Sequence, residues 1–132
     1  MHGRRRTFAM RTKIWIEDDA GKVVFGAGRF RILRAVAEQG SLSAAAKALG
    51  MSYRAVWGKI RATEERLGQQ LLRKQSGGIS GGGSELTPFA NNLLTSYRTL
   101  QDMTREKADG LFRDLFVEKL AEKRVRSKRK EE

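Results

Sequence analysis

The sequence has no cysteine, one proline and one histidine among its 132 residues. Without cysteine there is no disulfide and no thiolate metal ligand, a usage that suits a reducing cytoplasm. The histidine is His2, beside the start, which removes histidine-based triads and histidine metal clusters together. No apolar run approaches the ~20 residues of a membrane span. The arginines near the N-terminus have no apolar segment behind them, as a signal peptide would. Acid is also scarce: 15 Asp+Glu stand against 27 Lys+Arg, a formal charge of +12. That excess favours a polyanionic partner, nucleic acid before an acidic membrane surface. A ribosomal or otherwise sticky basic protein would share the charge.

What is present centres on 41-SLSAAAKALGMSYRAVWGKIRATEERLG-68. Leu42, Ala45, Ala46 and Leu49 recur on one helical face, and the run of alanines keeps that face thin enough for another helix to approach. Ser41 or Ser43 can cap this helix, Gly50 can end it, and Ser52 can cap a second one. In the second helix Val56, Ile60, Thr63 and Leu67 share the inner face, leaving Tyr53, Arg54, Lys59 and Arg61 toward solvent. A short helix, a glycine turn and a longer helix with a basic outer face make the helix-turn-helix plan.

Around it, residues 1–11 read as a basic disordered leader whose Arg4, Arg5 and Arg6 could lie along phosphates. TKIWIEDDAGKVVFG has the alternation of a β-hairpin, with Asp18 and Asp19 as turn chemistry rather than metal ligands. From Ala27 to Gln39, Phe30, Leu33, Val36 and Ala37 form the apolar stripe of a helix ending at Gly40. A strand near Leu71 and Leu72, the glycine-rich 76-SGGISGGGSE-85 and a returning strand at Glu85-Leu86-Thr87 make a second hairpin, a wing with a loose tip. A flexible linker is the competing reading. A nucleotide-binding loop lacks its lysine.

Thr87 as cap and Pro88 at the first position open the last helix. Phe89, Leu93, Tyr97, Leu100, Thr104, Ala108, Leu111 and Leu115 follow steps of three and four as far as about Leu120. At 1.5 Å per residue that helix is on the order of 50 Å long. So long an apolar face exceeds what a small winged domain covers, and a second copy is the economical partner, the alternative being that the second half folds back on its own domain. Gly110 is a possible break. The end, AEKRVRSKRKEE, is a charge block with little to bury.

The expected class is therefore mainly α with small β-hairpins, a winged helix-turn-helix with a long C-terminal dimerisation helix. The divisions are 1–11 leader, 12–87 DNA-binding domain, 88–120 dimerisation helix and 121–132 tail. The DNA-binding set is Ser41, Ser43, Ser52, Tyr53, Arg54, Trp57, Lys59, Arg61, Arg73, Lys74, Gly77, Gly78, Gly81 and Gly82. The dimer interface is Phe89, Leu93, Tyr97, Leu100, Thr104, Leu111 and Leu115. Arg54 is the best candidate for base reading, because a guanidinium can grip guanine O6 and N7 together. Lys59 and Arg61 suit phosphates, and Trp57 is either a core indole or a DNA contact. No metal, cofactor or catalytic set can be assembled, so an enzyme is not expected.

GSLSAAAKALGMSYRAVWGKI followed by SGGISGGGSELTPFANNLL resembles the DNA-binding domain of the ModE family of molybdate-responsive regulators. Its carriers are Gly40-Ser41, Ala45-Ala46-Lys47, Ser52-Tyr53-Arg54, Trp57, the glycine wing and Leu86-Thr87, within about residues 27–105. More widely, the GSxxxAAxxLxxSxxAVSxxI pattern of LysR-type regulators is visible, with Trp57 in place of a serine. The resemblance implies a winged helix-turn-helix homodimer that binds operator DNA and controls transcription. Members of that family carry a molybdate-binding module built from strands, whereas this chain closes on a helix and a basic tail. The expectation is a regulator without its own molybdate-sensing module, constitutive or served by a separate sensor protein. A nonspecific nucleoid-type protein, or an adaptor for such a sensor, is the alternative.

Overall fold

A computed structural model describes residues 6–75 and 83–120 of the chain. The alternating apolar residues near the N-terminus give an antiparallel pair, β1 (Trp15–Glu17) and β2 (Val23–Gly26), with Ile16 opposite Phe25. Asp18 closes the turn between them: its Oδ1 accepts the N–H groups of Ala20 and Lys22, each at 2.9 Å.

Helix α1 (Ala27–Gln39) buries Ile32, Leu33, Ala35 and Val36. The expected stripe is therefore corrected in part, because Ala37 is exposed and Phe30 only packs at the edge of the core. The cause is position: α1 lies against β2, α2, α3 and β4, so it buries a wider and rotated arc than one neighbour would need.

Next come α2 (Leu42–Leu49) and α3 (Tyr53–Leu67). Of the two serines available for α2, Ser41 is the cap, accepting the Ala44 N–H at 3.1 Å, and Ser52 does the same for Ala55 at 3.1 Å. Each cap satisfies one otherwise unpaired first-turn donor and stabilises by about 1 kcal/mol. Gly50, at φ 66°, turns the chain between them, a conformation a side chain would strain.

Two further strands, β3 (Leu72–Lys74) and β4 (Ser84–Leu86), pair antiparallel with Arg73 opposite Glu85. The glycine tip expected to join them, including Gly77, Gly78, Gly81 and Gly82, lies outside the described residues.

Helix α4 (Pro88–Phe112) begins on Thr87, whose hydroxyl accepts the Ala90 N–H at 3.1 Å and donates to the Gln70 carbonyl at 2.7 Å. Its first turns close the core. Tyr97 is 2% exposed, its ring 5.1 Å from that of Phe25 and 5.4 Å from that of Phe30, and its hydroxyl donates to the Ile14 carbonyl at 2.8 Å. Tyr97 thus belongs to the interior of its own chain and not to the expected dimer face. Phe89 and Leu93 also pack against that interior. The physical reason is that α1 and the β1–β2 hairpin leave a gap that an aromatic ring fills, with a carbonyl at its far end.

The chain divides into two units, Ile14–Thr99 and a second formed by Met1–Lys13 with Leu100–Glu132. All the elements above up to the first turns of α4 lie in the first. In the second, α4 continues through Gly110, the possible break, without interruption and passes at Arg113–Val117 into a π-helical turn, where the rings of Phe112 and Phe116 stack at 5.7 Å. Leu100, Met103, Leu111, Leu115, Phe116 and Val117 are exposed there, and Thr104 is half-buried. No helix among the described residues is long and apolar enough to cross a membrane. The stretch 121–132, expected to be a disordered tail, is outside the described residues.

Candidate nucleic-acid interface

The buried residues of α3 are Val56, Ile60 and Thr63, so its opposite face is turned out by helical geometry. Tyr53 and Arg54 are the first residues of the helix, immediately after the Ser52 cap, and both are exposed. Trp57 is 47% exposed, which decides between the two readings of that residue: it is not a core indole. Tyr53, Trp57 and Arg61 follow one another at four-residue steps and make a single ridge. The Arg61 guanidinium carbon lies 5.5 Å from the Trp57 ring centroid, and its Nη1 is 3.8 Å from Glu64. A guanidinium over an indole face is attracted by the ring quadrupole.

The ridge faces the β3–β4 hairpin across an open cleft of about 550 Å³. Ser41, Ser43, Tyr53, Trp57, Arg61, Arg73 and Lys74, chosen from sequence, all line it, together with Glu64, Gln70 and Ser84. The hairpin is held there by a backbone bond: the Ser84 N–H donates to the Gly40 carbonyl at 2.9 Å. The approach is so close that a Cβ at Gly83 would stand 2.6 Å from that same oxygen. Gly40 itself is at φ 79°, and the next residue caps α2. The Gly40-Ser41 pair therefore positions both the hairpin and the first helix of the motif.

The cleft's charges are largely matched. Arg73 Nε donates to Glu85 Oε1 at 2.8 Å, and Gln75 reaches the other oxygen at 3.4 Å. The Arg73 bond first, and then that of Gln75, holds the Glu85 carboxyl below the usual carboxylate range. Arg73, expected beside a DNA backbone, is thus ion-paired to Glu85 here, while Lys74 has no ion pair among the described residues. Glu64, missed from sequence, orients the start of β3 by accepting the N–H groups of Leu71 at 2.8 Å and Leu72 at 3.4 Å. Nothing local marks this glutamate, because the bonds depend on where the chain returns.

Other expected residues lie elsewhere. Arg54 is on the outer crest of α3 and does not line the cleft. Ser52 is occupied as a cap. Lys59 is on the opposite flank of α3, toward β2 and α1, beside Phe25, Arg29 and Thr63. There the Thr63 hydroxyl accepts from Arg29 Nε at 2.7 Å and donates to the Lys59 carbonyl at 2.8 Å. Arg66 donates to the Val23 carbonyl. Burial, and after it the nearby charge of Arg66, lowers the Arg29 pKa from the usual arginine value.

Residues 28–91 match the family model of the bacterial regulatory helix-turn-helix proteins, lysR family. The molybdenum-pterin-binding protein MopB of Rhodobacter capsulatus is 37% identical over 76 residues, which are 58% of this chain and 28% of that protein. The transcriptional regulator ModE of Haemophilus influenzae is 35% identical over 89 residues, 67% of this chain and 34% of that protein. Among solved structures, the crystal structure of the CbnR_DBD–DNA complex gives a TM-score of 0.49 at 29% identity, covering 62% of this chain and 88% of that one. The wider LysR relation is met by the family model and the ModE resemblance by the two sequence relatives. The chain spans 28% of the MopB protein and 34% of the ModE protein.

Proposed function

We propose that the chain, whose residues 28–91 match the lysR-family helix-turn-helix model, is a sequence-specific DNA-binding transcriptional regulator of ModE-like kind. One observation carries the reading. Helix α3 presents Tyr53, Arg54, Trp57 and Arg61 on its outer face, beside a hairpin pinned to the Gly40 carbonyl. The first residues of such a helix reach base edges in a major groove, and Arg54, at its crest, reads a base there. The +12 charge supplies the attraction to phosphates that any duplex offers.

The regulator acts as a homodimer, with Leu100, Leu111 and Leu115 among the apolar residues that a second copy covers; they are 42%, 52% and 53% exposed. A dimer with two-fold symmetry meets an inverted repeat whose half-sites lie about one helical turn, or a multiple of it, apart.

Selection of bound duplexes from a random pool at physiological salt, with and without molybdate, tests this. Enrichment of an inverted repeat is the expected result. A pool that stays random would show a nonspecific basic protein instead, and dependence of the enrichment on molybdate would show effector binding.

A further inference from the structure

We infer that Arg29, Lys59 and Arg66 form a second phosphate-binding surface, on the flank of α3 away from the β3–β4 hairpin, which holds the DNA backbone across the groove that α3 enters. This rests on the DNA-binding reading and goes beyond it, because it assigns residues on β2's side of the molecule.

The three cations belong to one surface. Thr63 ties Arg29 to α3 through its hydroxyl at 2.7 Å, and that hydroxyl also donates to the Lys59 carbonyl. Arg66 is bonded to Val23 at the start of β2, and its charge is felt at Arg29. Lys59 lies on the same flank of α3 seven residues before Arg66, and none of the three has an ion pair among the described residues. Asp18 is the carboxylate whose field reaches Arg66, but the two make no ion-pair contact, and its Oδ1 accepts the backbone N–H groups of Ala20 and Lys22.

Like charges held together cost free energy unless an anion joins them. Arginine stays charged at neutral pH, so the repulsion cannot be relieved by losing a proton. On the cleft side of the same helix Arg73 has Glu85 and Arg61 has Glu64. Lys74 is the cleft cation without an ion pair among the described residues, whereas on the other flank Arg29, Lys59 and Arg66 all lack one. A helix lying in a major groove is flanked by two backbones, and this surface supplies the cations for the one the wing does not reach.

The test is equilibrium binding of the full chain to the selected duplex and to a scrambled duplex of equal length, titrated over salt. The double variant Lys59→Gln/Arg66→Gln is expected to lower the slope of log K against log salt by about 2 on both duplexes, at about 0.9 for each phosphate no longer neutralised. The ratio between the two duplexes is expected to stay unchanged, since bonds to phosphate carry no sequence. Arg66 also holds Val23, so Lys59→Gln alone, whose side chain makes no bond to another described residue, provides the second variant, with a slope change of about 1. An unchanged slope in Lys59→Gln, with the wild type binding DNA, overturns the proposal and leaves the DNA reading intact. A changed ratio between duplexes also overturns it, by making these residues base readers. Equal wild-type binding to both duplexes with the expected loss of slope keeps this surface and removes sequence specificity. Absence of wild-type binding to either duplex ends both.

Discussion

The two flanks of α3 are both basic, yet they are built on opposite plans. On the wing side both arginines of the cleft are paired within the protein, Arg73 with Glu85 at 2.8 Å and Arg61 with Glu64 at 3.8 Å, and Lys74 is the exception. The wing hairpin's link to the helical motif includes a single backbone hydrogen bond, Ser84 to Gly40. On the β1–β2 side Arg29, Lys59 and Arg66 have no ion pair among the described residues, and Thr63 and Val23 fix two of them by hydrogen bonds to neutral oxygens. Basic residues near a recognition helix are therefore not equivalent. Those with a carboxylate neighbour must give it up or share it to meet a phosphate, whereas the unpaired ones gain an anion at no such cost.

The largest effect should come from breaking the wing side at its backbone anchor. Gly83→Val places a branched side chain against the Gly40 carbonyl, where even a Cβ would be 2.6 Å away. It is expected to destabilise the protein by about 3 kcal/mol, read by urea unfolding, and to weaken DNA binding. A variant with wild-type stability and affinity would mean that the hairpin is not held by that close approach.

Next is the crest between the flanks. Arg54→Ala is expected to cost about 1–3 kcal/mol on the selected duplex and to relax one base position, measured by repeating the duplex selection. Uniform weakening on every sequence would move Arg54 among the residues that hold the backbone.

A smaller effect tests the other flank. Thr63→Val removes the hydroxyl shared by Arg29 and Lys59 while nearly keeping the side-chain shape, and should cost about 1 kcal/mol in stability. Chemical denaturation checks it, and no change would show that Arg29 finds an equal partner in water.

The smallest changes concern the exposed acids. Glu85→Gln frees Arg73, and the salt slope for DNA binding should steepen by about 1 as that arginine takes up a phosphate. The carboxyls of Glu85 and Asp18 are both held below their usual range, Glu85 chiefly by Arg73 and Asp18 chiefly by the Lys22 N–H. Their contribution to stability is therefore complete above the unfolded-chain value and is lost as pH falls through the lower folded values. Melting temperatures across acidic pH should show a shallow loss there, reduced in Glu85→Gln. A loss beginning near neutral pH would point to other groups.

Much of the local structure was legible because its causes are local. Ser41 and Ser52 were readable as caps because a serine oxygen needs only the next turn's N–H groups. Thr87 before Pro88 opened α4 for the same reason. The exposure of Tyr53 and Arg54 followed from the spacing of Val56, Ile60 and Thr63. Trp57 was not decidable, since its place beside the stripe suited either environment until the hairpin left the cleft open. Tyr97 was misread as a dimer residue because heptad-like spacing looks the same whether the face meets a second chain or the chain's own strands. Glu64, Arg29 and Arg66 carried no signal, for their partners come from distant segments.

By itself, then, the sequence determined the helices, their caps, the turn at Gly50 and the strongly cationic character, all consequences of neighbouring residues or of composition. The tertiary structure decided which cations are neutralised, where the hairpin is pinned, and that Tyr97 lies inside. Those outcomes depend on distances between residues far apart in the chain, such as Gly40 and Ser84 or Arg29 and Thr63, which no periodicity encodes.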